Sequence, residues 1–82
     1  MADKLITAYA EVSNKGLTVY VSQCIDGHIR DIGRYTWLCV GDGASSHRSF
    51  NNELECIRDA KDYLAYTYQD IKRKDVQFDA WD

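Results

Sequence analysis

Up to residue 40 the apolar positions recur at nearly every second residue, and after residue 50 at every third or fourth. The first spacing belongs to strands with one buried face, the second to an amphipathic helix. From Lys4 to Ser13, Ile6, Ala8, Ala10 and Val12 share one face, while Thr7, Tyr9 and Glu11 share the other. Asn14-Lys15-Gly16 reads as a turn, with the glycine free to take positive φ. Leu17 to Ile25 alternates again, with Leu17, Val19, Val21 and Ile25 opposed to Thr18, Tyr20, Ser22 and Cys24. The two runs predict a β-hairpin. After the Asp26-Gly27 turn, His28 to Val40 is expected to form a third strand, broken or bulged near Gly33. Its second half sets Tyr35, Trp37 and Cys39 against Thr36, Leu38 and Val40.

Gly41 to His47 is a loop with two glycines and two serines, and a helix from about Asn51 to Lys74 follows it. Ser49, Asn51 and Asn52 are candidate caps, and Asn52 with Glu55 resembles a capping box. Glu53 and Glu55 in the first turn and Lys72-Arg73-Lys74 in the last would complement the helix dipole. Leu54, Ile57, Ala60, Leu64, Tyr68 and Ile71 form the expected buried stripe. Asp75 to Trp81 alternates weakly and could add a fourth strand. The predicted order is β-β-β-α with an optional final β. That is a two-layer α+β fold, an antiparallel three- to four-stranded sheet with one long helix on one face, in a single domain spanning 1–82.

One helix covers one face of such a sheet and leaves the other. Ala8 and Ala10 suit close helix approach, together with Val12, Val19, Val21, Leu38 and Val40. The uncovered face would then carry Thr7, Tyr9, Glu11, Thr18, Tyr20, Ser22, Tyr35 and Trp37. Aromatic residues there either serve as good strand formers that shield the sheet, or make a contact surface. A slip of one residue in any strand would exchange its two faces.

Composition narrows the function. The chain has 82 residues, 45% hydrophobic and 28% charged, which is globular rather than disordered. A core of this size leaves little room for a deep enclosed site. The net charge is −3, and Lys72-Arg73-Lys74 is the one massed basic run, so a general phosphate-binding surface is not expected. No stretch is long and apolar enough to span a membrane, and Met1-Ala2-Asp3-Lys4 lacks the pattern of an export signal. Cys24, Cys39 and Cys56 are therefore read as reduced thiols of a cytoplasmic protein.

The candidate chemistry is thin. Gly41 to His47 lacks the glycine spacing and the Gly-Lys-Ser/Thr ending of a phosphate loop. Asp42, Ser45, Ser46 and His47 include the residue types of a hydrolase triad, but neighbours in one short loop seldom reach triad geometry. Cys24, His28, Cys39, His47 and Cys56 show no paired zinc-ligand spacing. No catalytic residue, metal or cofactor is expected.

In its β-β-β-α order, short length, mild acidity and lack of a catalytic constellation, the whole chain resembles the small accessory proteins of phages and mobile elements, including anti-CRISPR proteins. That resemblance rests on general build and carries over no individual residue. It implies a non-enzymatic, inhibitory protein-binding module that occupies a surface of a larger nucleic-acid-handling complex of a host. Acidic side chains would there meet a basic groove. The expected partner-binding residues are Tyr9, Tyr20, Tyr35 and Trp37, with Glu11, Asp31 and Asp42 near the edges of the face and Asp79 and Trp81 in the tail. The same face offers a homodimer contact. The alternative is a single-stranded nucleic-acid binder that stacks bases on these aromatics, with Arg34 and Arg48 beside them.

Overall fold

The computed structural model describes residues 3–81. Strands β1 (Lys4–Val12) and β2 (Leu17–Cys24) form the expected hairpin. A short 3₁₀ turn over Ser13–Lys15 closes it, and Gly16 exits at φ 66°, the left-handed region that the Asn-Lys-Gly sequence suggested. Strand β3 (Tyr35–Val40) pairs with β2, and β4 (Asp79–Ala80) pairs with β1. The result is an antiparallel four-stranded sheet in the order β3-β2-β1-β4. Helix α1 (Glu53–Thr67), the one α-helix among the described residues, packs on one face, so the two-layer α+β architecture is present.

Alternation holds through most of the hairpin. Ala8, Ala10 and Val12 on β1 and Leu17, Val19 and Val21 on β2 are all buried toward α1. Ile6 departs from it. The register shifts between Ile6 and Ala8, so Thr7 is an extra residue in β1 and Ile6 lies opposite Ser22. A bulge of this kind reverses the parity of everything before it, and Ile6 joins the uncovered face instead of the core.

The third strand is shorter than expected and has the opposite parity. His28 to Gly33 makes turns rather than strand. Val19 pairs with Cys39 and Val21 with Trp37, which puts Trp37 and Cys39 in the core at 4% and 0% exposure. Leu38 and Val40 face outward, each about half exposed at 48% and 49%. Apart from Thr36, both alternations of Tyr35–Val40 are apolar, so hydrophobicity alone could not choose between them. Cross-strand partners with Val19 and Val21 decided it.

The helix begins where its cap predicted. Asn52 is extended, and its side-chain oxygen accepts the Glu55 N–H at 2.9 Å. It ends earlier than predicted, at Thr67, with Tyr68 extended and its N–H donating to the Leu64 carbonyl at 2.9 Å. The Tyr66-Thr67-Tyr68 run is β-branched and aromatic, which lowers helix propensity at that point. Ile71 and Val76 still reach the core, but from the segment that returns toward β4. Lys72-Arg73-Lys74 therefore lies off the helix, around a 3₁₀ turn at Arg73–Asp75, and Arg73 pairs with Asp62 at 2.7 Å instead of meeting the helix dipole. The buried stripe is also rotated from the expected one. Cys56, Ala60 and Leu64 are its fully buried positions, whereas Leu54 is 71% exposed.

Candidate functional site

The uncovered face can be assembled from the pairing. Tyr9 lies opposite Tyr20, and Tyr20 opposite Leu38, so these three side chains form a row across β1, β2 and β3. The next row is Glu11, Thr18 and Val40, and on the other side Ser22 is flanked by Ile6 and Thr36. On β4, Asp79 pairs with Tyr9 and shares its face. Trp81 follows two residues later on the same side, with its N–H donating to the Thr7 carbonyl at 3.1 Å. Its ring meets Tyr9 and Tyr20 edge-on, with centroids 5.4 and 5.9 Å apart. Such contacts hold three aromatics in one fixed cluster. Trp81 remains 46% exposed.

Five of the predicted contact residues thus come together: Tyr9, Glu11, Tyr20, Asp79 and Trp81. Tyr35 and Trp37 do not join them. Both lie on the helix side, where Tyr35 packs against the core and the Trp37 indole N–H donates to an Asp59 carboxylate oxygen at 2.8 Å. Leu38 and Val40 take their places, so the face is more aliphatic than expected. Nothing local in Tyr35–Val40 marks these two residues as exposed. The remaining signal is long-range pairing with β2.

Asp42 is not a free edge charge. Its carboxylate accepts the Tyr63 hydroxyl at 2.5 Å, the Tyr68 hydroxyl at 2.6 Å and the Ala44 N–H at 2.9 Å. Partial desolvation pushes its pKa up, but the tyrosine and Ala44 hydrogen bonds outweigh that and hold it at about 2. In return, the Tyr68 phenol is pushed up, chiefly by its hydrogen bond to Asp42, and the Tyr63 phenol by burial and then by the same bond. The carboxylate ties the β3–α1 loop to the end of the helix. Gly41 fixes the same loop from below. A Cβ there would come within 2.7 Å of Leu17 and 2.9 Å of the Gly16 carbonyl.

Asp31 sits beyond the end of the sheet. It lines a shallow cavity of about 280 Å³ with Cys24, Asp26, His28 and Arg34. Arg34 itself donates to Ser49 Oγ at 2.6 Å, to the Ser49 carbonyl at 2.9 Å and to Asn51 at 2.5 Å. It braces the segment entering α1 rather than standing free beside the aromatics. Arg48 lies over the Phe50 ring at 5.0 Å.

Reactive groups are muted. Burial first, then the Asp42 carboxylate, raises the Cys39 thiol to about 12. Burial, with Asp59 and Glu53, does the same for Cys56. Both thiols stay protonated at neutral pH and are poor nucleophiles. Ser46 Oγ accepts the Trp37 backbone N–H at 3.3 Å and helps shape the loop. Among the described residues no cluster of three or more His, Cys, Asp or Glu is placed to hold a metal ion. No helix among them is long and apolar enough to cross a membrane. No family model, curated protein or solved structure matches this chain.

Proposed function

We propose that this protein is a non-enzymatic protein-binding module that docks through its uncovered sheet face. It would act as an inhibitor by occupying a surface of a larger nucleic-acid-handling complex, in the manner of the anti-CRISPR proteins its build resembles. The observation that carries this reading is the fixed Tyr9–Tyr20–Trp81 cluster continuing into half-exposed Leu38 and Val40. An aromatic centre with an aliphatic flank is the composition of an interface hot spot. Glu11 and Asp79 at its margin are both exposed, and with a net charge of −3 they favour a basic partner surface. Of the cations expected beside the aromatics, Arg34 is bound to Ser49 and Asn51 and Arg48 lies over the Phe50 ring, which weakens the base-stacking alternative.

The test is capture of a stoichiometric partner by tagged protein, with and without nuclease, compared with Tyr20→Ala/Leu38→Ala. Both side chains point away from the core, so the double variant should keep its circular dichroism spectrum and lose the partner. Partner binding that survives the double substitution would overturn this reading. So would recovery of nucleic acid with every protein lost after nuclease.

A further inference from the structure

A second recess lies in the other layer of the molecule, between α1 and the loop after β3. Its volume is about 560 Å³. Trp37, Tyr63 and Tyr66 supply aromatic walls, and Asp59 and Asp62 supply carboxylates. The facing wall is Gly43-Ala44-Ser45, which is small and leaves the recess open, with His47 beside it.

The sequence places these groups deliberately close. Asp59, Asp62 and Tyr66 are spaced by three and four along α1, which stacks them on one side of the helix. Tyr66 is 90% exposed and has no packing role. The Trp37 and Tyr63 rings lie 5.1 Å apart with planes tilted 36°, and each is fixed by a hydrogen bond to a carboxylate, Trp37 by Asp59 and Tyr63 by Asp42. Asp59 uses Oδ2 for the indole and leaves its other oxygen for a further donor.

Aromatic faces are electron-rich and attract cations, and a carboxylate beside them adds a charge-assisted hydrogen bond. A neutral apolar ligand would desolvate Asp59 without pairing it. An anion would meet two carboxylates. The class of group that satisfies both walls is a cation on an aliphatic stem. Asp62 is already engaged by Arg73, so Asp59 is the carboxylate left for a ligand. The Arg73 guanidinium pairs with Asp62 at 2.7 Å while both side chains stay more than half exposed, at 63% and 58%.

We propose that this recess receives an arginine or lysine side chain from a basic protein segment. It is a contact separate from the sheet face and does not depend on that face being an interface. The test uses ¹⁵N-labelled full chain at physiological salt, titrated with tetra-arginine, tetra-lysine and tetra-glutamate peptides and a single-stranded oligonucleotide. The readout is the Trp37 indole N–H resonance, told apart from that of Trp81 by Trp81→Phe. Arginine or lysine peptide should shift it saturably, and glutamate peptide should not. Tyr66→Ala should weaken binding about threefold, the value of one exposed cation–π contact. Asp59→Asn should weaken it about tenfold, the value of one charge-assisted hydrogen bond. A resonance that does not move, that responds to the oligonucleotide instead, or that titrates identically in Tyr66→Ala overturns the proposal. The last arm stands even if Asp59→Asn disturbs the fold, because the exposed Tyr66 side chain is no part of the core.

Discussion

Beneath α1 the sheet carries alanine, valine and cysteine at its centre, whereas the side turned away carries tyrosine, leucine, valine and tryptophan. Ala10, Val19, Val21 and Cys39 are at most 1% exposed, and Leu38, Val40 and Trp81 are close to half exposed. The small residues let a helix with its own small stripe, Cys56 and Ala60, approach closely. The large ones contribute area the fold does not need to close its core. Burial on the first face stabilises the protein, and retained exposure on the second leaves free energy available for association.

The two tryptophans test this contrast most sharply. Trp37→Ala should cost about 3–5 kcal/mol, since it empties a core position and leaves Asp59 without its indole donor. Trp81→Ala should cost about 1 kcal/mol, the worth of its edge-on contacts. Urea denaturation followed by circular dichroism separates the two values, and equal losses would erase the distinction between the faces.

An effect as small as that of Trp81→Ala is expected at Asp42, on the helix side of the molecule. Its folded pKa lies below the ordinary value of 3.8, so its contribution is fully present above about pH 4 and disappears as the pH falls toward about 2. Asp42→Asn should lower stability at pH 7 by about 1 kcal/mol, a value kept small because the carboxylate is exposed and screened. The gap between variant and parent should close in melting curves taken down to about pH 2. A gap that persists unchanged in acid would remove the carboxylate's charge from the account.

Smallest is Leu54→Ala. At 71% exposure its truncation should move stability by no more than about 0.5 kcal/mol. A loss of the size seen at core leucines would return Leu54 to the buried stripe that its spacing suggests.

What could be read from the sequence follows from how local each determinant is. The hairpin alternates cleanly from Ala8 to Val12 and from Leu17 to Val21, and its turn carries the glycine that the geometry requires. The Asn52 cap is likewise contained within four residues. The parity of β3 is not local, because both of its faces are largely apolar and only pairing with β2 resolves them. The extra residue at Thr7 left no mark in an apolar strand. Asp42 looked like a loop charge because its two tyrosine partners lie 21 and 26 residues further on. Which residues share the uncovered face was legible on β1, β2 and the tail, and misread on β3.

The borders of the sheet have a consequence of their own. On the β3 side, Ala44 to Phe50 takes the outer main-chain groups. Cys39 N–H donates to Ala44 at 2.7 Å, Ser46 N–H to Trp37 at 3.0 Å, and Tyr35 and Phe50 exchange a pair at 2.9 and 2.8 Å. On the other side, β4 occupies the middle of β1 and is itself only Asp79–Ala80. Among the described residues the outer edge of β1 is left bare only in two short stretches, residues 4–6 and 10–12. A molecule with so much apolar surface on one flat side would ordinarily risk stacking into fibrils. Here those stretches are too short for a long added strand, which favours recognition of side chains over extension of the ladder.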